Sequence, residues 1–249
     1  MVLEGKTALV TGAARGIGQG IALRYAAEGA KVVCCDRNPC QDTLEQIKAQ
    51  GGEAAEIRAD LSKWEDVQKA VGFTTEKYGR LDILVNNAGL TTRCPIDEET
   101  MEHWEFVTGV TLRGTWMMCK AAVPVMKKQE SGRIINICSI AGVRAFADQS
   151  IYCAAKGGVA NLTRELAVEL APFGIHVNAI NPSIVDTPLF DDQGNPLVGD
   201  FLKELTAAVP CHKISQPKDI AGPAVFLAGP DSEYVYGVLL NVDGGWCAK

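Results

Sequence analysis

One short stretch, Val10-Thr11-Gly12-Ala13-Ala14-Arg15-Gly16-Ile17-Gly18, constrains this chain more than any other. Thr7 to Val10 ahead of it is short, apolar and β-compatible. Gln19 to Glu28 behind it sets Ile21, Leu23 and Tyr25 among alanines and stops at Gly29, the pattern of a helix. The glycines therefore occupy a strand-to-helix turn. Glycine there permits positive φ and lets backbone approach a ligand closely. The helix N-terminus offers unpaired N–H groups and the positive end of the macrodipole, which suits a pyrophosphate. The spacing is Gly-x-x-x-Gly-x-Gly rather than the general dinucleotide fingerprint Gly-x-Gly-x-x-Gly. On its own, the turn leaves open a tight βα connection with no ligand.

The rest of the chain repeats the strand–helix alternation. Lys31 to Cys35 reads as a second strand ending at Asp36, Pro39 to Gln50 as a helix stopped by Gly51-Gly52, and Glu53 to Arg58 as a third strand. Ser62-x-x-Glu65 has the form of a capping box opening a helix to Tyr78, with Gly79 as its C-cap. Asp82 to Val85 is a fourth strand running into Asn86-Asn87-Ala88-Gly89. A long helical region from Glu99 to Lys128 is interrupted by Gly109, Gly114 and Pro124, which predict a bend or a close helix contact. A fifth strand, Arg133 to Cys138, delivers Ser139; a helix over Ile151 to Leu170 carries Tyr152 and Lys156. A sixth strand from Ile175 leads to Pro182-Ser183, and a helix over Pro217 to Ala228 precedes a last strand, Val238 to Val242. Alternating strands and helices, with the strands apolar on both faces, predict an α/β fold: a doubly wound parallel sheet of the Rossmann type in one domain, residues 1–249. Ligands of such sheets bind beyond the carboxyl ends of the strands, at the switch point, where these candidate residues gather.

Composition narrows the function classes. A net charge of −6 argues against a nucleic-acid partner. No run of ~20 apolar residues predicts a membrane span, and the first residues lack the form of a signal peptide. The nine cysteines are scattered, without Cys-x-x-Cys spacing or an evident Cys/His cluster. That predicts reduced thiols, a cytoplasmic protein and no metal site.

Tyr152 and Lys156 are four apart on one helix, hence on one face. An ammonium beside a phenol favours the phenolate and lowers its pKa, and such a tyrosine exchanges a proton with a carbonyl or alcohol oxygen. Ser139, thirteen residues earlier, is placed to hydrogen-bond the same oxygen. A nucleophilic serine lacks support, because His103, His176 and His212 suit other places and no Gly-x-Ser-x-Gly elbow is present.

Together, Thr11-Gly12-x-x-x-Gly16-Ile17-Gly18, Asp60-Leu61, Asn86-Asn87-Ala88-Gly89, Ser139, Tyr152-x-x-x-Lys156 and Pro182-Ser183 resemble the classical short-chain dehydrogenase/reductase family over essentially the whole chain. The resemblance implies seven parallel strands and an oxidoreductase moving hydride between NAD(P) and a secondary alcohol or carbonyl. It implies Tyr152 as acid/base, Lys156 lowering its pKa and bonding the nicotinamide ribose, and Ser139 orienting the substrate oxygen. Gly12, Arg15, Gly16, Ile17, Gly18, Asp36, Arg37, Asp60, Leu61, Asn87, Ala88, Gly89, Pro182, Ser183, Ile184 and Thr187 would contact the cofactor, with Asp60 at the adenine edge and Thr187 at the carboxamide. Phe146 and Phe190 would line the substrate pocket, under a lid at about 184–210. Homodimers or homotetramers are expected, with the small residues Ala154, Ala155, Gly157 and Gly158 suited to close packing.

Two positions depart from the family pattern. Thr111 stands where an asparagine usually distorts the long helix for a proton relay, which puts that distortion in question. Ser183 replaces a glycine, harmless unless the turn needs positive φ. Asp36, twenty residues after Gly16, can bond both ribose hydroxyls and repel a 2′-phosphate. That favours NAD, although Arg15 and Arg37 leave NADP open. The lid residues, apolar and acidic, suggest a neutral alcohol or ketone. The other class of reading is a dinucleotide-binding regulatory or scaffold protein with little turnover, toward which Thr111 alone leans.

Overall fold

The computed structural model describes residues 1–187 and 206–249. Seven parallel strands form one sheet in the order β3-β2-β1-β4-β5-β6-β7. They are β1 (Thr7–Thr11), β2 (Lys31–Asp36), β3 (Ala54–Arg58), β4 (Ile83–Asn86), β5 (Gly132–Ile137), β6 (Ile175–Pro182) and β7 (Leu239–Val242). The helices used below are α1 (Gly16–Ala27), α2 (Gln41–Ala49), α3 (Trp64–Tyr78), α4 (Met101–Thr108), α5 (Thr115–Gln129), α6 (Ser150–Leu170) and α7 (Pro217–Ala228). The family fold expected from the motifs is the fold observed, in one domain.

The strand period of two divides the core into two layers. Ala8, Val10, Val32, Cys34, Ile83, Val85 and Ile135 face α1 and α7. Their neighbours Leu9, Val33, Cys35, Leu84 and Ile134 face α3, α5 and part of α6. Both faces are dry, which is why the strands read as continuous apolar runs.

The chain reverses direction across the sheet at β1, between β2 and β4, and Thr11 stitches that switch point. Its hydroxyl donates to the Val85 carbonyl at 3.2 Å and accepts from the amides of Asn87 and Ala88 at 2.9 and 3.1 Å. Thr11→Val removes all three bonds inside a buried site; a loss of about 1–3 kcal/mol is expected in urea unfolding. Unchanged stability would contradict this role.

A polar row crosses the sheet below the crevice, and sequence pattern gave no sign of it. The Asn86 amide donates to the Asn136 side chain at 2.9 Å, and the Asn136 amide donates to Thr163 Oγ1 at 2.9 Å. Through it, β4, β5 and α6 are locked laterally, and α6 carries the tyrosine–lysine pair.

One local expectation is corrected. Ser62 does not cap α3: the N-cap is Lys63, with no side-chain bond, and the helix begins at Trp64. The physical reason is Asp60, whose Oδ1 takes both the Ser62 amide at 3.0 Å and the Ser62 hydroxyl at 2.7 Å. The small residues of α6 also serve packing within the chain. Ala155 is buried, and a Cβ on Gly158 would meet Leu112 at 2.9 Å. Gly79 does close α3 in the left-handed region.

Candidate active site

The glycine turn works by two separate devices. Gly12 and Gly16 have φ of +65° and +63°, where a side chain is strained. Gly18 sits inside α1, and a Cβ there would lie 2.1 Å from the Gly12 carbonyl oxygen. Its role is close helix–strand packing rather than ligand contact. Gly18→Ala is expected to cost about 3 kcal/mol or more, since the clash is with backbone that cannot swing away. A thermal melt matching wild type would refute this.

A crevice of about 310 Å³ opens above β1, β2 and β4. It is lined by Gly12, Arg15, Gly16, Ile17, Asp36, Arg37, Asp60, Leu61, Asn87, Ala88, Gly89 and Thr187 of the expected cofactor set. Cys35, Asn38, Ala59, Leu90 and Val110 line it as well, and sequence reasoning missed them. Arg15 is the N-cap of α1 and makes no side-chain cap bond, so the first amides of the helix carry no side-chain cap. Those amides, the two positive-φ glycines and the tight cradle fit the pyrophosphate of a dinucleotide.

Asp36 ends β2 with both carboxylate oxygens anchored: Oδ2 accepts from the Ala14 amide at 3.1 Å, and Oδ1 from the Asn38 amide at 2.9 Å. Asp60 is likewise engaged, and its bonds to Ser62 hold its carboxyl below the usual range. The Asn87 amide donates to the carbonyls of Thr11 and Gly12 at 2.9 and 3.1 Å, so this side chain braces the loop against β1.

The crevice continues toward the residues expected to do chemistry. A Cβ on Gly89 would lie 3.5 Å from both Lys156 Nζ and Thr111 Oγ1. Ser139 stands just past β5 and accepts the Ala141 amide at 3.1 Å, capping a short turn, Ile140–Gly142. That turn meets α6 closely: a Cβ on Gly142 would come within 2.8 Å of the Lys156 carbonyl oxygen. The Cys138 thiol donates to the same carbonyl at 3.1 Å. These contacts bring strand end and helix together, and with them Ser139 and Tyr152.

The expected effect of Lys156 on Tyr152 is corrected. The ammonium lies 5.7 Å from the phenol ring centroid and donates to the Ile137 carbonyl at 2.7 Å. Burial pushes Tyr152 up to about 12, while a hydrogen bond with Ser139 pulls the other way. Burial also lowers Lys156. The lysine is turned onto β5, and burial, the largest cause, holds the phenol above its ordinary range. Accordingly, ultraviolet difference spectra of wild type against Tyr152→Phe should show no phenolate from this residue at pH 9 without cofactor. A phenolate band there would contradict the burial argument.

The family model described as enoyl-(acyl carrier protein) reductase matches residues 12–247. An uncharacterized oxidoreductase of Bacillus subtilis is 41% identical over 98% of this chain and 99% of its own length. A 2,5-dichloro-2,5-cyclohexadiene-1,4-diol dehydrogenase of Sphingobium indicum is 37% identical over 98% of this chain and 97% of its own. A crystal structure of an Agrobacterium tumefaciens protein with bound NADP superposes with a TM-score of 0.90, at 37% identity, covering 99% of this chain and 98% of the other. The protein belongs to the short-chain dehydrogenase/reductase family. As a member it is an oxidoreductase that uses a dinucleotide.

The two departures from the family pattern have structural answers. Thr111 lies in a π-helical segment, Gly109–Gly114, so the long helix is distorted without the asparagine. Its hydroxyl accepts from the Leu90 amide at 2.9 Å and donates to the Leu90 carbonyl at 3.1 Å. The Thr111 carbonyl accepts from Thr115 Oγ1 at 2.9 Å. Ser183 is not among the non-glycine residues with positive φ, so serine is unstrained there.

Pro182 ends β6, Ser183 and Ile184 follow it, and none of the three lines the crevice. Phe146 packs on Trp246 with ring centroids 5.8 Å apart, and Arg144 donates to the Cys247 carbonyl at 3.0 Å. The loop after β5 is thus docked on the C-terminal turn, a contact the sequence did not suggest. Phe190 and most of the expected lid lie outside the described residues. Among the described residues, no helix is long and apolar enough to cross a membrane.

Proposed function

We propose that this dehydrogenase/reductase interconverts a secondary alcohol and its ketone, with Ser139, Tyr152 and Lys156 as the reacting set. What supports the reading is that Ser139 hydrogen-bonds Tyr152 while Lys156, one turn on in the same helix, brings its ammonium beside Gly89 of the crevice wall. A bound nicotinamide would supply or accept the hydride. Ser139 holds the substrate oxygen. Tyr152 gives that oxygen a proton in the reducing direction and takes it back in the oxidising one. Lys156, released from the Ile137 carbonyl, would reach the ribose and repartition its charge toward the phenol.

NAD is the preferred cofactor in this reading. Anchored by two backbone amides, the Asp36 carboxylate cannot swing aside for a 2′-phosphate, although Arg15 and Arg37 share the crevice. The substrate is a small neutral alcohol or ketone. The exposed Trp104 and Phe106 on α4 and Trp116 on α5 support assembly as a homodimer or homotetramer. A cytoplasmic location accords with five of the nine cysteines being buried thiols.

The test is turnover at the reduced-nicotinamide absorbance band against a panel of secondary alcohols and ketones, with each cofactor. Turnover with NAD that vanishes in Tyr152→Phe supports the proposal. Dinucleotide binding without turnover on any compound would return the protein to a regulatory or scaffold role.

A further inference from the structure

The sequence predicts no Cys/His cluster, yet the fold makes one away from the dinucleotide crevice. Cys94 lies in the loop after β4, Glu99 just ahead of α4, and His103 in its first turn. One ligand atom from each lies within 4.8 Å of the other two. The Cys94 Sγ is 3.9 Å from His103 Nδ1, and Glu99 Oε2 is 2.9 Å from the same nitrogen.

The arrangement of atoms decides between two chemistries. A cysteine nucleophile relay uses both nitrogens of its histidine, one toward the thiol and one toward the carboxylate. Here thiol and carboxylate both face Nδ1. Three donors of different type therefore converge on one point, the arrangement a cation requires. Tetrahedral zinc with bonds of ~2.0–2.3 Å sets its ligand atoms roughly 3.3–3.6 Å apart. The observed 3.9 and 2.9 Å bracket that value, so small side-chain rotations suffice.

The surroundings fit as well. The Glu99 side chain is only 5% exposed, and His103 is 27% exposed. The second Glu99 oxygen, Oε1, accepts from the Thr92 hydroxyl at 3.2 Å, which orients the carboxylate as an outer partner does around a metal. The Thr100 N-cap accepts the His103 amide at 3.1 Å and fixes the histidine on the helix.

We propose that Cys94, Glu99 and His103 form a three-ligand site for Zn²⁺ or a similar borderline-soft divalent cation, with water as the fourth ligand. Binding forms bonds to Sγ, Nδ1 and a Glu99 oxygen. The thiol proton leaves to solvent, and the Nδ1 proton moves to Nε2 by tautomer exchange. Thiolate and carboxylate then neutralise the dication. The ion clamps the loop after β4 onto α4, and the assignment is independent of the redox reaction.

The test is a Co(II) titration of the chelator-treated, full-length protein. The expected result is a thiolate-to-cobalt charge-transfer band and tetrahedral d–d bands saturating at one equivalent, discharged by Zn(II). The signal should vanish in Cys94→Ser, weaken about tenfold in affinity in Thr92→Val, and persist in Cys211→Ser, which removes the exposed thiol. No band in wild type, or an undiminished band in Cys94→Ser, would overturn the site. X-ray absorption of the Zn(II)-loaded wild type needs no variant. One sulfur among nitrogen and oxygen neighbours is expected, and a first shell without sulfur would refute the assignment.

Discussion

Tyr152→Phe is expected to lower turnover by about 10²–10⁴-fold, the usual contribution of a positioned proton donor, and to leave dinucleotide binding intact. The substitution removes one oxygen from a half-buried ring that is not part of the crevice lining, and leaves the glycine turn, Asp36 and Thr11 untouched. The effect should therefore fall on kcat, not on the cofactor dissociation constant. Ser139→Ala should also reduce turnover. It additionally removes the acceptor of the Ala141 amide, so some of its effect will appear as lost order in the turn before α6. A Tyr152→Phe protein that kept wild-type kcat would remove the tyrosine from the reaction.

The second large effect is expected at Asp36. Asp36→Asn preserves an oxygen for the Ala14 or Asn38 amide but removes the charge. A carboxylate set against a 2′-phosphate costs several kcal/mol, and removing it should shift the NADP-to-NAD ratio of kcat/KM by about 10²-fold toward NADP. Arg15 and Arg37, already on the crevice wall, would then hold the phosphate. The NADP bound to the Agrobacterium relative makes this measurement informative. A wild-type preference for NADP, unchanged in Asp36→Asn, would mean that the arginines govern the choice.

Much of this was legible in the chain. Glycine spacing, strand periodicity and helix stops are local signals, and they placed the crevice, Asp36 and the tyrosine helix where the structure has them. What stayed hidden depends on pairs distant in sequence. Asn136 and Thr163 look like ordinary polar residues until β5 and α6 are packed together. Asn87 lines the crevice as its motif implies, but that its amide also braces the Thr11 and Gly12 carbonyls shows only in the fold. Ser62 has the pattern of a cap, and Asp60 takes its bonds first. The orientation of Lys156 was illegible for another reason: spacing fixes which helix face it shares with Tyr152, while its rotamer is set by the β5 carbonyl beneath it. Cys94, Glu99 and His103 converge only through the loop that folds onto α4.

Isotope transfer tests the central claim most directly. Secondary alcohols deuterated at the carbinol carbon are incubated with the protein and NAD, and the reduced nicotinamide is examined by mass spectrometry. The label should arrive on the cofactor with wild type and fail to arrive with Tyr152→Phe. Label absent from the cofactor with wild type across the whole alcohol panel, although NAD is bound, would contradict the account.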